Sequence, residues 1–350
     1  MSTRRSRSTA ALALAASVLT GACSPSSTPA PSASPASSPS GSIAPVALTV
    51  GLGYIPSVQF AQFYRADQAG YYAAEGLTVT FQNEIDANLV PKMGAGAVDL
   101  GLSDGTSVIP AVSQGIPIKY LATIYGQFPS IVFAKTSSGI TSADDLVGKK
   151  VGIPGKYGSS WIMLQALMAS KGHTVDDLTI AEYPDFGQGA AVAQGAVDAA
   201  TGFVNNEPVQ LERTTGQKAV VLHIDDVTPL PGPGIVAGNA TIAAKRDAVA
   251  GFIRATLKAM NDIAADPSLG VDASVTAVPE LGTDRALQLA LLAATISGWR
   301  PAAAVAGSPI TGAVDRAAWD KTLTFMTSLD LVPKPVTSTD LIDTTFAPAP

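Results

Sequence analysis

The run Leu48-Thr-Val-Gly-Leu-Gly-Tyr54 has a weak copy about one hundred residues later, Lys149-Lys-Val-Gly-Ile-Pro-Gly155. Both runs are rich in β-forming residues and contain glycine, and apolar residues at helical spacing follow each of them. Ser57 is predicted to cap the first of these helices, and Ser159 or Ser160 the second. Each run therefore predicts a strand, a turn and a helix.

A second repeated element lies further along each half. Gly96-Ala-Val-Asp99 recurs as Gly195-Ala-Val-Asp198, and a β-rich run that contains glycine follows both copies. Because the copies keep nearly the same offset, they indicate two similar βαβ lobes with parallel sheets. In open parallel sheets, ligands bind beyond the carboxyl ends of the strands. We therefore expect a ligand cleft between two lobes.

The first 23 residues are typical of an export signal. Three arginines lie among the first seven residues, residues 10–19 are apolar except for Ser17, and Gly21-Ala-Cys23 closes the stretch with small residues. A stretch of this length is too short to cross a bilayer as a helix, which takes about 20 residues. This pattern predicts a signal peptide over 1–22 and a lipid anchor on Cys23. Ordinary cleavage without lipidation is the alternative.

Residues 24–45 are almost entirely Ser, Pro, Ala, Thr and Gly. Such a composition buries too little apolar surface to offset the entropy of ordering, so we predict a disordered linker from Cys23 to residue 45. Cys23 is the only cysteine, and the chain cannot form an internal disulfide. We expect the folded part to be extracytoplasmic, anchored through its lipid to the outer face of the cytoplasmic membrane.

Composition limits the classes of function. Hydrophobic residues make up 47% of the chain and charged residues 14%, which is enough apolar material for two domains of common size. The net charge is −6, and no basic cluster follows the leader. Nucleic acid is therefore excluded as an expected partner. After residue 239, apolar residues recur at helical spacing and predict a helical tail.

An ordered set of short motifs resembles a known family. Gly53-Tyr-Ile-Pro56, Gln68-Ala-Gly-Tyr-Tyr-Ala-Ala-Glu-Gly-Leu77, Gly94-Ala-Gly-Ala-Val-Asp99, Ser142-Ala-Asp-Asp-Leu-Val-Gly-Lys-Lys-Val-Gly-Ile-Pro154 and Asn205-Asn-Glu-Pro208 follow one another along the chain. Together they resemble the SsuA/THI5-like (NMT1) substrate-binding proteins of ABC importers. The resemblance covers nearly all of residues 48–237.

The resemblance implies an α/β fold of the type II periplasmic-binding class, with a ligand cleft between two lobes. Ile131–Lys135 and Gly234–Gly238 would be its two crossover strands. The predicted domains are then the first part of lobe 1 over 46–138, lobe 2 over 139–232, and a return to lobe 1 with C-terminal helices over 233–350.

The implied function is capture of a small heterocycle, either a thiamin-precursor pyrimidine or riboflavin, and its delivery to a permease and its ATPase. We expect a monomer that needs no cofactor. The two facing lobes, the membrane tether and the lack of a plausible nucleophile–base or metal set in the sequence favour a binding protein over an enzyme. Sulfonate or taurine is the alternative ligand. The alternative functions are a ligand-sensing lipoprotein and an enzyme like the thiamin pyrimidine synthases, which rely on a cysteine-rich iron site. With Cys23 assigned to the anchor, we expect no metal site, and His173 and His223 are interpreted as ordinary surface or packing residues.

Polar residues near predicted strand ends are the candidate site. The loop 155–160 joins a strand to a helix start, where backbone N–H groups suit anions or oxygen-rich ligands; a plain turn is the alternative. Glu207 can accept from a ring N–H or an amine, or it can cap the helix at Pro208. Tyrosines at strand ends can stack on a flat ring, and core or rim packing is the alternative for each of them. Asp104 can be a ligand or only a turn residue.

The predicted ligand-binding residues are Tyr54, Gln59, Phe60, Asp86, Ser103, Asp104, Tyr125, Tyr157, Ser159, Ser160, Trp161, Asn206 and Glu207.

Overall fold

The computed structural model describes residues 44–225 and 230–347, except for the side chains of Asp86 and Ala87. The predicted signal peptide, Cys23 and the predicted linker up to residue 43 lie outside the described residues. The described residues all belong to one compact unit of the chain.

The first sheet contains five strands in the order β2-β1-β3-β10-β4. Its strands are β1 (Val46–Gly51), β2 (Leu77–Gln82), β3 (Leu100–Ser103), β4 (Ile118–Thr123) and β10 (Gly234–Gly238). Strand β1 pairs in parallel with β2 and β3, whereas β10 lies antiparallel between β3 and β4. We call this sheet and its covering helices lobe 1.

The second sheet repeats this arrangement in the order β7-β6-β8-β5-β9. Its strands are β5 (Ser130–Lys135), β6 (Lys150–Ile153), β7 (Thr179–Glu182), β8 (Ala199–Phe203) and β9 (Ala219–His223). Strand β6 pairs in parallel with β7 and β8, and β5 lies antiparallel between β8 and β9. We call this sheet and its covering helices lobe 2.

The chain passes between the sheets twice, after β4 and after β9. The predicted parallel pairing is found among three strands of each sheet, but the strand that follows each passage, β5 or β10, enters the other sheet in the opposite direction. The predicted limit of lobe 1 at residue 138 is also corrected. Strand β5 precedes that limit, yet its backbone pairs only with β8 and β9 among the described strands, and so it belongs to lobe 2. The other domain limits stay a prediction.

The repeated Gly-Ala-Val-Asp motif has the same structural role in both lobes. Asp99 precedes β3 and its Oδ2 accepts from the N–H of Thr49 on β1 at 2.9 Å. Asp198 precedes β8, and its Oδ2 accepts from the N–H of Lys150 on β6 at 2.8 Å. Each aspartate thus ties the start of one strand to its parallel neighbour, which explains why the motif recurs.

Helices cover both faces of each sheet. Their bounds are α1 (Ala61–Gln68), α2 (Tyr71–Ala74), α3 (Asp86–Gly94), α4 (Gly105–Ser113), α5 (Gly158–Ala169), α6 (Gln188–Gln194), α7 (Glu207–Thr215), α8 (Asn239–Ala244), α9 (Arg246–Ala265), α10 (Pro267–Ala277), α11 (Arg285–Gly298), α12 (Arg316–Ser328) and α13 (Ser338–Leu341). The predicted helical tail is therefore confirmed. Within the described ranges, no helix is both long and apolar enough to span a bilayer.

Lobe 1 has a core on each side of its sheet. Helices α1, α2, α9, α10 and α11 contribute to one core, and α3, α4, α12 and α13 contribute to the other. In lobe 2, α5 packs on one face of the sheet, while α6 and α7 pack on the other. This layering leaves the carboxyl ends of the central parallel strands uncovered by their own helices, and these ends form the site.

The predicted helix starts are half right. Ser57 does cap its helical segment, since its Oγ accepts from the N–H of Gln59 at 3.3 Å. Ser159 and Ser160 are not caps, because α5 already begins at Gly158 and Tyr157 occupies the cap position. Gly158 has a φ of +63°, which a residue without a side chain adopts at little cost. The helix therefore starts early and holds both serines in its first turn.

Candidate ligand-binding cleft

A cavity of about 130 Å³ lies between the two lobes. Gly53 and Ser103 line it from the carboxyl ends of β1 and β3 in lobe 1, and Pro154 and Phe203 line it from the ends of β6 and β8 in lobe 2. The strand ends of both sheets thus converge on one space. Their convergence places the cavity where open α/β sheets bind ligands.

Most of the predicted site residues lie together in this cavity. Those that line it are Tyr54, Gln59, Phe60, Ser103, Asp104, Tyr125, Tyr157, Ser159, Ser160, Asn206 and Glu207. Asp86 begins α3, and its side chain lies outside the described part of the structure. Trp161 lies outside the cavity, where it packs against the core of lobe 2 with Lys156 Nζ 5.7 Å from its ring centre.

Glu207 is the most distinctive group of the cavity. It opens α7 but does not cap it, since Asn206 occupies the cap position and Glu207 Oε2 accepts from the N–H of Phe203 at 2.7 Å. Burial raises the pKa of the Glu207 carboxyl above its ordinary value, and the bond from the Phe203 N–H only partly offsets that effect. The carboxyl is therefore a buried acceptor fixed at the end of β8.

Two glycines make room for this carboxyl. A Cβ on Gly202 would lie 2.7 Å from Glu207 Oε2, and a Cβ on Gly189 would lie 3.4 Å from Glu207 Cγ. A side chain at 202 would displace the carboxyl from its position. The position of the Glu207 carboxyl therefore depends on the absence of a side chain at these two glycines.

Asp104 occupies the equivalent turn of lobe 1, and the structure favours its interpretation as a turn residue. Its Oδ1 accepts from the N–H of Thr106 at 2.9 Å, from the Thr106 hydroxyl at 2.6 Å and from the N–H of Ser107 at 3.3 Å. These bonds cap α4. Asp104 is only 4% exposed and also lines the cavity, so it adds a buried carboxylate to the site.

The loop 155–160 brings one aromatic ring to the rim. The ring of Tyr157 lies so close to Gly155 that a Cβ there would meet its Cε1 at 2.3 Å. Tyr157 remains 37% exposed, whereas Ser159 and Ser160 line the cavity from the first turn of α5. The loop therefore offers a partly exposed ring beside two hydroxyls.

Phe186 and Gln188 were not predicted, yet both line the cavity. Phe186 lies between β7 and α6 with a φ of +60°, and its ring meets Tyr54 edge-on with centroids 4.7 Å apart. This contact joins lobe 2 to lobe 1 across the cleft. Pro184, Asp185 and Gly187 around Phe186 are ordinary turn residues, so composition alone gave no signal for an aromatic group there.

The histidines lie apart from the cleft. His173 Nε2 lies 2.8 Å from Asp144 Oδ1, and His223 ends β9. Among residues 44–225 and 230–347, no group of three or more His, Cys, Asp and Glu side chains is arranged to hold a metal ion.

A family model described as NMT1/THI5 like matches residues 57–269. Riboflavin-binding protein RibY of Chloroflexus aurantiacus is 34% identical over 334 residues, which cover 94% of this chain and 92% of RibY. The 4-amino-5-hydroxymethyl-2-methylpyrimidine phosphate synthase of Legionella pneumophila is 28% identical over 62% of this chain and 69% of that enzyme.

Solved structures share the fold at low identity. The alkanesulfonate-binding protein SsuA of Xanthomonas axonopodis pv. citri, bound to MOPS, has a TM-score of 0.65 at 17% identity and covers 87% of this chain and 100% of its own. The periplasmic aliphatic sulphonate binding protein SsuA of Escherichia coli also has a TM-score of 0.65 at 17% identity. Its match covers 85% of this chain and 97% of the SsuA chain. These likenesses establish the two-lobed periplasmic-binding fold.

Proposed function

Because the chain belongs to the NMT1/THI5-like family, we propose that it is the solute-binding component of an ABC importer and that it captures riboflavin. The proposal is carried by one observation: aromatic rings from both lobes line the same cavity as a buried carboxyl acceptor. The relation to RibY, which extends over nearly the whole of both chains, supports the same ligand.

The lining of the cleft matches the chemistry of a flavin. Tyr54, Phe60 and Phe186 provide aromatic surface for a flat ring, and Tyr157 provides more at the rim. Glu207 provides a fixed acceptor for the ring N–H of a flavin. The hydroxyls of Ser159 and Ser160 can pair with the hydroxyls of a ribityl chain.

The charges of the cleft favour a neutral ligand over a sulfonate. Asp104 and Glu207 both line the cavity and both are at least nine-tenths buried. At a pH above the raised pKa of Glu207 both groups are carboxylates, and two such charges in a poorly solvated space repel an anion with little screening by salt. Among the described residues that line the cavity, none is lysine, arginine or histidine. Although SsuA proteins share the fold, we propose that a sulfonate is not the ligand here.

The proposed mechanism is closure of two lobes on the ligand. Lobe 1 contributes Tyr54 and Ser103 to the cavity, and lobe 2 contributes Phe186 and Glu207. A ligand that contacts both sets binds the closed form better than the open form, and this difference in affinity is what shifts the population. The closed form would then dock on the permease, as a monomer, and deliver its ligand.

A thiamin-precursor aminopyrimidine is the second candidate ligand. The cavity of about 130 Å³ has room for a single six-membered ring, since an engineered protein cavity of roughly 150 Å³ holds benzene. Riboflavin, with three fused rings, would therefore require the lobes to stand further apart than they do in this form. The exocyclic amine of such a ring can donate to Glu207. The relation to the pyrimidine phosphate synthase supports this ligand, although it covers less of the chain than the relation to RibY does.

We propose that binding, not catalysis, is the function, because the relation to the binding protein RibY covers 94% of this chain and the relation to the synthase covers 62%. We further propose that residues 1–22 direct export and that a lipid on Cys23 holds the protein at the membrane surface. Labelling cells with a radioactive fatty acid tests the anchor: the intact chain should take up label, and a Cys23→Ser variant should not.

Calorimetric titration of the Cys23→Ser chain tests the proposed ligand. We expect riboflavin to bind, and at one hundred times its Kd to stabilise the folded protein by about 2.7 kcal/mol. Alkanesulfonates should give no heat of binding. If the aminopyrimidine binds and riboflavin does not, the second candidate replaces the first. Binding of sulfonates alone would contradict the proposal.

A further inference from the structure

Two buried polar atoms in the cleft have no hydrogen-bond partner among the described residues. They are Ser103 Oγ, at the end of β3 in lobe 1, and Gln188 Oε1, at the start of α6 in lobe 2. Ser103 is 3% exposed and Gln188 is 1% exposed, and both residues line the cavity. One residue with an unsatisfied group thus lines the cavity from each lobe.

The orientation of the Gln188 amide follows from its neighbour. Its Nε2 donates to the carbonyl oxygen of Thr201 at 3.3 Å. A carbonyl oxygen can only accept, so the amide nitrogen must face it and the amide oxygen must point elsewhere. Gln188 therefore presents an acceptor, whereas the hydroxyl of Ser103 can either donate or accept.

A buried polar group without a partner destabilises the state that contains it, and a ligand that supplies the partner removes this cost. We propose that Ser103 and Gln188 are specificity-determining residues, which hydrogen-bond the ligand from lobe 1 and lobe 2 respectively. Gln188 then selects ligands that carry an N–H or O–H donor toward lobe 2. This inference rests on the proposed capture of a flavin or aminopyrimidine, both of which carry such donors.

The chain offers matched controls. Thr201 Oγ1 and Ser130 Oγ are also buried without a partner among the described residues, but neither residue lines the cavity. Thr201→Val and Ser130→Ala remove an unsatisfied hydroxyl as Ser103→Ala does, but away from the ligand. If the unpaired atoms matter only for folding, all of these variants should behave alike.

The test measures Tm and ligand affinity for Ser103→Ala, Gln188→Leu, Thr201→Val and Ser130→Ala in the Cys23→Ser chain. In the three variants that remove a hydroxyl, Ser103→Ala, Thr201→Val and Ser130→Ala, we expect Tm to equal or exceed that of the parent, because each loses an unsatisfied polar group. Affinity for riboflavin should fall about fivefold to tenfold in Ser103→Ala and Gln188→Leu and stay within about twofold in the controls. Ser103→Ala should therefore lose affinity without losing stability.

If the two cavity variants bind riboflavin with the same affinity as the two controls, the inference is overturned and the proposed function stays intact. If the parent protein binds the aminopyrimidine and not riboflavin, the same four variants are titrated with the aminopyrimidine, and the same pattern is required. If the parent binds neither compound, the proposed function fails and this inference fails with it.

Discussion

The turn after β3 in lobe 1 and the turn after β8 in lobe 2 occupy equivalent places in two sheets of the same strand order. Both turns carry a buried carboxyl that lines the cleft. Asp104 uses its carboxyl to cap the helix that follows, whereas Glu207 leaves the cap position to Asn206 and turns toward the strand end. The Asp104 carboxyl thus caps a helix, whereas the Glu207 carboxyl accepts from the backbone at the end of β8, and we propose that Glu207 also accepts from the ligand.

The starts of the same strands show no such divergence. Asp99 and Asp198 lie just before β3 and β8, and they accept matching hydrogen bonds from the backbone N–H groups of Thr49 and Lys150. The duplicated scaffold has therefore been kept where it supports folding and has diverged at the carboxyl ends of the strands. This distribution is expected when loops at the strand ends carry the function of a rigid α/β frame.

The largest expected effect is on ligand affinity at Glu207. Glu207→Gln keeps the size of the side chain but removes its charge, and a hydrogen bond to a charged acceptor contributes about 1.5–3 kcal/mol. We expect riboflavin affinity to fall about 10- to 100-fold in a calorimetric titration. Glu212→Gln, on the exposed side of the same helix, is the control and should bind like the parent. If both variants bind riboflavin with the same affinity, Glu207 does not hydrogen-bond the ligand.

The raised pKa of Glu207 predicts a pH dependence in two opposite directions. Its ordinary pKa is 4.5, and burial raises the pKa in the folded protein. Stability of the free protein should therefore fall as pH rises from 4.5 through the raised pKa, because the buried carboxyl must ionise. Affinity should instead fall, by about tenfold, as pH drops through the raised pKa and the acceptor is protonated.

Titrations from pH 4 to pH 8 measure both effects, with Glu207→Gln as the reference. Both dependences should be absent in that variant, which lacks the titrating group. A parent protein whose affinity follows the same pH curve as the variant would assign the dependence to another group.

The next effect concerns the stability of lobe 1. Asp104→Ala removes the cap of α4 and should lower the free energy of unfolding by about 1 kcal/mol in urea titrations. Asp104→Asn retains a good capping residue and should stay close to the parent. If Asp104→Asn loses as much stability as Asp104→Ala, the capping bonds are not what the carboxyl contributes.

The smallest effect distinguishes the two repeated aspartates. Asp99 also pairs with Lys245 Nζ at 2.8 Å, whereas Asp198 is exposed. Both lose their bond to backbone N–H on substitution by alanine, but Asp99 loses an ion pair as well. We expect Asp99→Ala to destabilise the protein by about 0.5–1 kcal/mol more than Asp198→Ala. Lys245→Ala should abolish that difference, and a difference that persists would refute the ion pair as its cause.

Local patterns predicted the fold well because the two halves repeat the same signals. Glycine-ended β runs, the Ser57 cap and the Gly-Ala-Val-Asp motif each depend on a few neighbouring residues. The antiparallel insertion of β5 and β10 depends instead on pairing between distant segments, which periodicity does not contain. The resemblance to a known family supplied those two crossover strands.

The residues that line the cavity were harder to predict than the strands, because their positions also depend on contacts between distant segments of the chain. Tyr54 and Ser103 lie at the ends of predicted β runs, and both line the cavity because the carboxyl ends of the parallel strands face the cleft. Trp161 lies elsewhere because α5 starts at Gly158, and each residue of a helix turns about 100° from the last. Phe186 reaches the cavity through a left-handed backbone that glycine, not phenylalanine, usually adopts.

The strand order also bears on how the protein is made. Every strand of lobe 2 comes from the continuous stretch 130–223, so its sheet can form as soon as that stretch has emerged. In lobe 1, β3 and β4 meet only through β10, whose residues 234–238 follow the whole of lobe 2. A chain that emerges from its N-terminus, from a ribosome or through an export channel, therefore presents all the strands of the second sheet first. The first sheet can be completed only after residue 238 has emerged, because β3 and β4 both pair with β10.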